Sequence, residues 1–449
     1  MDKYNNFFAF IKKASEQFVS LGSKKSLVVT HYDSDGICSA ALIISVLKTK
    51  FDLDVISGLD EEQLISYAKE DYDAFFFVDI GSSQIDLIEK HLSTKNVFVL
   101  DHHATIDYEC KNVVHINPLD FGLDNPKEIA AAGVCYYFAR NVETKAENLS
   151  YLAVVGAIGD YQLNGNTGTL NNDILKNAIE SGQIKHYKGL RVYGNKPIHR
   201  LLCYSADLYI PGITDPNQAV KFLNEIDIDT KCNGDFRRYK DLSDKEKADL
   251  EKAIIEKRKE TNEPTDIYGD HYILTNAAED YSDIYEFSTL LNACGRTRNG
   301  SVGVGICLGE KDAYKKGCKV LFQYRIDISN SLKWFNSNKD SAARSDRYLI
   351  INAEKNIKPS IIGIVASILA RSNMVESGKI IIAIAEAINY AKVSVRMSGE
   401  DSSIDLRKML SEIVEKVGGV SGGHSTAAGA RIPVDKVEEF IEFCKEKLK

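Results

Sequence analysis

The chain has 449 residues, 44% of them hydrophobic and 27% charged, with a formal net charge of −8. That balance is ordinary for globular proteins and excludes a chain disordered throughout. At ~150 residues per domain the length predicts two or three domains. The longest apolar runs, such as Ile361–Ala370, stop well short of the ~20 residues that span a bilayer, so no membrane partner is expected. Met1–Asn6 lacks the basic-then-apolar layout of a signal sequence. Nine cysteines without a CxxC pair read as reduced thiols in a cytoplasmic chain. Residues 1–160 carry 14 Lys/Arg against 24 Asp/Glu, and the remainder 42 against 40. This distribution argues against a wholly basic nucleic-acid binder, although it permits local clusters of cations. An excess of carboxylates in one domain also fits bound metal, which offsets their repulsion.

In chain order, Ser26–Thr30 reads as a buried strand followed by a helix over 38–49, and Asp52–Ser57 as a strand followed by a helix from Glu61. Further strands are predicted at 74–78, 96–100 and 113–116, with helices at 127–141 and 146–158. Apolar strands alternating with helices predict an α/β domain, a mostly parallel sheet covered on both faces. The middle of the chain is less regular and mainly helical, notably 243–260, with a linker at 262–265. After 270 an α/β pattern returns. It comprises a strand at 272–275, a helix near 283–295, a strand at 302–308 and a long helix over 311–335. Then come a strand at 348–351, a helix at 360–371, strands at 379–385 and 392–396, and helices at 403–416 and 434–448.

Three clusters of acids and histidines directly follow predicted strands. They are His31-Tyr-Asp33-Ser-Asp35-Gly36, Asp79, and Asp101-His102-His103. A fourth acid, Asp160, ends the apolar run Gly156-Ala-Ile-Gly159. Ligands of open α/β sheets bind beyond the carboxyl ends of the strands, so adjacent parallel strands would bring these clusters to one rim. Alone, Asp79 would be a cap or turn residue, Asp35-Gly36 a turn, and the two histidines surface groups. Together, four to six carboxylates and three imidazoles repel one another unless metal or protons neutralise them. No cysteine belongs to the cluster, which disfavours structural zinc. Mixed carboxylate and imidazole ligands suit Mn²⁺, with Mg²⁺ or Fe²⁺ as alternatives. Two such ions bridged by a shared carboxylate make a hydrolytic site for phosphoesters.

These residues resemble the four motifs of the DHH phosphoesterase superfamily. Gly418-Gly-Val-Ser-Gly-Gly-His-Ser-Thr-Ala-Ala-Gly429 is similar to the GGH signature of the DHHA1 domain that often follows. Order and spacing agree over roughly 25–165 and 280–449. Within the superfamily the chain is most similar to RecJ-like exonucleases of the archaeal type, a choice strengthened by Glu286-Phe-Ser-Thr-Leu-Leu-Asn-Ala-Cys-Gly-Arg296. The resemblance implies a DHH phosphoesterase domain at 1–165, a mainly helical linker or insert at 166–270, and a substrate-binding DHHA1 domain at 271–449. It implies two divalent ions, Mn²⁺ first and Mg²⁺ as the alternative. One would be held by His31, Asp33 and Asp79, the other by Asp35, Asp79, His102 and Asp160. Asp101 would orient a neighbouring histidine, and His103 would contact the scissile phosphate.

The chain departs from bacterial RecJ proteins in three respects. They typically have Asp where His31 stands. The residues before His424 are Ser421-Gly422-Gly423. With 25 residues after His424, their C-terminal oligonucleotide-binding barrel is not expected here.

In the DHHA1 half, Gly422 and Gly423 allow close backbone approach to phosphate, and His424 can donate to a phosphate oxygen. Arg396 shares a strand face with Ser394 and Lys392 and offers a fork of donors, with a salt bridge as the alternative. Asn292 and Arg296, one helical turn apart, are candidate substrate contacts or helix-surface residues.

The expected activity is metal-dependent exonucleolytic hydrolysis of single-stranded DNA or RNA, in replication or repair. Two other functions compete. One is a phosphodiesterase or phosphatase for nanoRNA, cyclic dinucleotides or 3′-phosphoadenosine phosphate. The other is a scaffold subunit of a replication complex. The resemblance also makes the GINS replicative-helicase complex a candidate partner.

Overall fold

The computed structural model describes residues 2–22, 25–163, 167–204, 208–213, 215–261, 264–371, 375–399, 404–423 and 425–448. His424 and two residues of the expected 262–265 linker lie outside these. The chain divides into two compact units. The first comprises Met1–Leu201 and Leu223–Leu321, the second Leu202–Phe222 and Phe322–Lys449.

The first unit is built on a five-stranded parallel sheet. Its strands are β1 (Ser26–His31), β2 (Phe51–Ile56), β3 (Ala74–Val78), β4 (Asn96–Leu100) and β5 (Val113–Ile116), in the order β2-β1-β3-β4-β5. The inner strands are apolar on both faces because helices cover both. Leu27, Val29, Phe75, Phe77, Val97 and Val99 share one cluster with Leu64, Ile88 and Leu92 of α3 (Glu61–Ala68) and α4 (Ile85–Leu92). On the opposite face Phe76 and Phe98 stack at 5.1 Å. They meet Phe18 of α1 (Asp2–Ser20) and Phe138 of α5 (Ala131–Val142).

The register fixes where the motifs fall. Thr30 pairs with Val78, Val78 with Leu100, and Leu100 with Ile116. His31, Asp79, Asp101 and Asn117 therefore leave the sheet side by side. The strand order reverses at β1 and β3, which places the rim at a topological switch point.

The helix α2 (Ser34–Ile44) starts four residues earlier than expected because Asp33 caps it. Asp33 Oδ1 accepts from the backbone N–H groups of Asp35 and Gly36, both at 3.1 Å. Two further helices follow α5, namely α6 (Ser150–Gly159) and α7 (Thr169–Glu180). In the middle of the chain, β6 (Ile184–Leu190) pairs antiparallel with β9 (Tyr268–Leu274). Between them lie α8 (Ile198–Tyr204), α9 (Pro216–Glu225), the hairpin β7–β8 (Lys231–Cys232, Asp235–Phe236) and α10 (Asp244–Arg258). Ser243 and Glu246 close a capping box on α10. The polar run of β6 gave no strand signal.

The expected strand at 302–308 is a helix, α12 (Gly300–Cys307), between α11 (Ile284–Arg296) and α13 (Lys311–Ser337). A short apolar run fits either state, and here the glycines decide. A Cβ on Gly300 would meet Val55, and one on Gly303 would meet Ile37. Positions 300 and 303 share a helix face but lie on opposite faces of a strand.

The second unit holds a six-stranded sheet in the order β10-β11-β12-β13-β15-β14. The strands are β10 (Ala343–Arg344), β11 (Tyr348–Asn352), β12 (Ile380–Glu386), β13 (Ala391–Met397), β14 (Val420–Gly423) and β15 (Ala427–Ile432). One face buries Ile382, Ile384, Val393 and Val395 against α15 (Leu406–Val417) and α16 (Val437–Lys447). Helix α14 (Pro359–Arg371) packs on β12 and β13. The strands β14 and β15 are made of glycine, alanine and serine with few large apolar side chains, so they too gave no strand signal.

Truncating Phe98, fully buried against the rings of Phe18, Phe76 and Phe138, should cost about 3–5 kcal/mol as Phe98→Ala. Denaturant unfolding checks this. A loss below about 1 kcal/mol would place the core of the first unit elsewhere.

Candidate metal centre

Asp79 stands at the middle of the rim. It follows β3 with φ +57°, a left-handed conformation uncommon outside glycine, in which Asp and Asn are the usual exceptions. Its N–H is held by Leu100 O at 3.0 Å, and the residue is 2% exposed. Imidazole and carboxylate groups surround it. His31 Nδ1 lies 3.5 Å from Asp79 Oδ2 and 2.9 Å from Asp33 Oδ2. His102 Nε2 lies 3.5 Å from Asp79 Oδ1, 3.1 Å from Asp160 Oδ2 and 3.8 Å from Asp35 Oδ2.

Despite these distances, both Asp79 oxygens, His31 Nδ1 and His102 Nε2 lack an aligned hydrogen bond among the described residues. Donor atoms aimed at shared points rather than at one another are what cation coordination requires. Buried polar atoms otherwise find partners. Three groupings bring ligand atoms within 4.8 Å of one another. They are His31, Asp33 and Asp79; Asp35, His102 and Asp160; and Asp79, His102 and His103. Each could hold a metal ion, and their carboxylate and imidazole donors fit a divalent cation.

The electrostatics agree. Burial, then the charge of Asp33, pushes Asp79 above the ordinary carboxylate range, against the opposing pull of His102, His31 and His103. Burial, Asp79 and Asp160 do the same to Asp35. Burial works against the charged forms of His31 and His102, but Asp33 with Asp79, and Asp160 with Asp79 and Asp35, together outweigh it and hold both imidazoles well above their usual value. Asp33 is depressed despite its burial, chiefly by His31.

A ring of supports fixes these ligands. Asp35, fully buried, accepts from Ala131 N at 2.8 Å and Ala132 N at 2.9 Å, so the N-terminus of α5 holds it. A Cβ on Gly156 would fall 2.2 Å from Asp35 Oδ1, which is why α6 carries glycine there. Asp101 does not face the ion groupings. It accepts from the N–H groups of Ser82, His102 and His103 at 3.0, 2.8 and 3.2 Å, and from His103 Nδ1 at 2.8 Å. It therefore shapes the His102-His103 turn. Burial opposes the protonation of His103, but Asp101 overcomes it and raises the ring to about 9. His103 is the most exposed of the three rim imidazoles, with 39% of its side chain accessible.

Sequence reasoning missed several supports. Ser82 Oγ lies 2.9 Å from His115 Nε2, and His115 Nδ1 lies 2.9 Å from Asp120 Oδ2. The order of groups is that of a hydrolase triad, yet Ser82 is fully buried and its hydroxyl accepts from Asn117 Nδ2 at 2.9 Å. The chain is a brace, and Asn117 extends it to His103 O at 2.9 Å. Asn117 follows β5 as Asp79 follows β3, so the strand-end rule would have found it. Gln162 reaches His102 Nδ1 at 3.2 Å.

The candidate substrate residues fall in both units. Asn292 braces the Ser34 turn, its Oδ1 accepting from Ser34 N at 3.2 Å and its Nδ2 reaching Ser34 Oγ at 3.3 Å. Its amide is thus accounted for by structure. Arg296 is half-buried at the end of α11. In the second unit Ser394 is 3% exposed and would touch a Cβ placed on Gly363 of α14. That corrects its expected place at a substrate face. Arg396 donates to Ser367 Oγ at 2.9 Å, Val395 O at 2.8 Å and Ala428 O at 3.2 Å, bonds internal to the unit. Gly422 and Gly423 are exposed on the edge strand β14, Gly423 at φ +128°.

The chain matches the DHH family N-terminal domain over residues 25–158, the DHH-CID domain over 192–267 and the DHHA1 domain over 346–449. It is 34% identical over 427 residues to an uncharacterized protein of Methanocaldococcus jannaschii, covering 92% of this chain and 91% of that protein. Three solved structures are similar in fold. RecJ of Thermus thermophilus in complex with Mn²⁺ has a TM-score of 0.60 at 15% identity, over 97% of this chain. This chain spans only 54% of that protein's length. An exonuclease RecJ bound to manganese gives 0.58 at 16% identity, over 98% of this chain and 93% of that one. CDC45 of Entamoeba histolytica gives 0.68 at 8% identity, over 100% and 99%. Among the described residues no helix is long and apolar enough to cross a membrane. With three domains of one family in order and a relative matched over nearly its whole length, the chain belongs to the DHH superfamily and has a RecJ-like fold.

Proposed function

We propose that the protein is a metal-dependent phosphodiesterase that degrades single-stranded DNA or RNA from an end. The observation that carries this reading is the set of buried carboxylate and imidazole atoms that converge within 4.8 Å of one another around Asp79. His31 and Asp33 would hold one divalent ion, Asp35, His102 and Asp160 a second, and Asp79 both. Mn²⁺ suits the mixed donors, with Mg²⁺ as the alternative. When bound, such ions supply charge stabilisation at the phosphate and a water acidified for attack.

The chain's own residues do the rest. Asp101 holds His103 protonated and turned toward the open side of the rim, where the imidazolium can donate to a phosphate oxygen. Ala131 and Ala132 hold Asp35, and Leu100 O holds Asp79, so the acids are placed before substrate arrives. In the second unit, the exposed backbone of Gly422 and Gly423, with His424, is the proposed grip on phosphates. The complete set of rim residues supports an active enzyme over a scaffold subunit. The GINS complex is the candidate protein partner, and co-elution with purified GINS tests it.

The deciding assay incubates end-labelled single-stranded DNA and RNA, duplex DNA and a dinucleotide with Mn²⁺, Mg²⁺ or EDTA. Progressive shortening of single strands from one end, abolished by EDTA, is expected. Cleavage confined to two- to five-mers would replace this reading with the small-substrate phosphodiesterase. No cleavage with either ion would favour the scaffold.

Asp79→Asn should remove the shared ligand without unfolding the protein, since Asn also tolerates the left-handed backbone and adds no buried charge. In EDTA its melting temperature should equal or exceed that of the wild type. Mn²⁺ should raise the melting temperature of the wild type only. An equal Mn²⁺ shift in both proteins would remove Asp79 from the ion site.

His103→Gln should lower kcat/KM about 10- to 150-fold, the loss of a hydrogen bond to a charged group, with Mn²⁺ stoichiometry unchanged. A fall in stoichiometry would make His103 a ligand instead.

A further inference from the structure

The helix that delivers Asp160 is closed by an aromatic residue where glycine is usual. The backbone N–H of Tyr161 donates to Ile158 O at 3.1 Å, and that of Gln162 to Ala157 O at 2.8 Å. Such a pair of 5→2 and 6→1 bonds is a Schellman motif, which ends a helix with its C′ residue in the left-handed conformation. Glycine, and sometimes asparagine, fills that position because a Cβ there crowds the backbone. In α6 it is Tyr161, with φ +58°. Among the described residues no other aromatic side chain takes a positive φ. A bulky residue in this conformation is an outlier, and strain of this kind collects at functional sites.

The core does not require this ring. From Ser150 to Leu163 every residue but Tyr161 is buried or half-buried. The Asp160 side chain is 22% exposed and Tyr161 58%, so the chain passes from the centre to solvent within one residue. Their Cα atoms lie ~3.8 Å apart across a trans peptide, and Asp160 Oδ2 is 3.1 Å from His102 Nε2. An exposed ring therefore stands at the solvent side of the rim, within a nucleotide's length of the centre. Tyr32, the tyrosine beside the first motif, is half-buried and packs on His31 with ring centroids 4.5 Å apart. A phosphodiester drawn to the rim brings its bases with it. Every base has a π-face, so an exposed aromatic ring binds it by stacking whatever the sequence. A tyrosine can do so with its hydroxyl left in water.

We propose that Tyr161 is a substrate contact, the platform on which the base of a nucleotide flanking the cleaved bond stacks. The inference rests on the phosphodiesterase reading above and deepens it by assigning the residue that senses a base. Glycine at this position would end α6 with less strain and offer nothing to stack on. The contact is blind to base identity and to the sugar, so it serves DNA and RNA alike. It selects unpaired ends, because the terminal bases of a duplex must first be unstacked and unpaired to reach the ring.

The test compares Tyr161→Gly and Tyr161→Phe of the full chain with the wild type. In EDTA, Tyr161→Gly should melt no lower than the wild type, since it relieves the left-handed strain, and its Mn²⁺ stoichiometry should be unchanged. With Mn²⁺, its kcat/KM on single-stranded homopolymers should fall about 5- to 100-fold, the loss of one base stack. Tyr161→Phe keeps the ring and should keep most of the wild-type rate. The deciding substrates carry one abasic nucleotide, at the first or the second position from the end that is shortened. On one of them the wild type should slow to the rate of Tyr161→Gly, and the two proteins should then be equal. No defect on ordinary strands, or a defect that persists undiminished on both abasic ones, overturns the inference. A lower melting temperature or lost Mn²⁺ overturns it too, because either makes the ring a prop for Asp160. A wild type that cleaves no single strand with Mn²⁺ or Mg²⁺ overturns the functional reading itself, and the stacking contact with it.

Discussion

The architecture turns on one buried carboxylate that its surroundings do not satisfy. Asp79 leaves the middle of a parallel sheet in a left-handed turn, at the point where the strand order reverses. Neither of its oxygens has an aligned hydrogen bond among the described residues. A group of that kind costs several kcal/mol when unpaired, and a fold retains it where something binds there. The neighbouring elements answer to this requirement. The cap of α2 supplies Asp33, the start of α5 holds Asp35, and the end of α6 supplies Asp160. The β4 exit supplies His102 beneath a turn wound around Asp101.

This arrangement shows how a helix cap and a ligand can be one residue. Asp33 uses Oδ1 to start α2 and turns Oδ2 toward His31. The turn itself is buttressed from far along the chain. Ser288 and Asn292 of α11 bond Ser34, and a Cβ on Gly295 would overlap Tyr32 O. Residues 284–321 thus belong with the first unit, where they steady the first motif.

Much of this was legible in the sequence because parallel sheets advertise themselves. Near-continuous runs such as Ala74–Val78 marked the inner strands, and the rule that sites lie beyond strand ends grouped His31, Asp79 and Asp101 correctly. What stayed hidden had no periodic or chemical mark. The polar strand β6 and the small-residue strands β14 and β15 lack the apolar alternation of a half-buried strand. Helix α12 was misread because its apolar run suits both states and only tertiary contacts at Gly300 and Gly303 separate them. Gln162 and Asn117 act through amides whose neighbours are distant in sequence. Ser394 shares a face with Arg396 as its spacing implied, but that face is covered by α14.

Manganese-edge anomalous diffraction from crystals grown with Mn²⁺ tests the central claim most directly. The account predicts two peaks beside Asp79, one against His31 and Asp33 and the other against Asp35, His102 and Asp160. Absence of any peak at Asp79, or ions bound only at other residues, would contradict it.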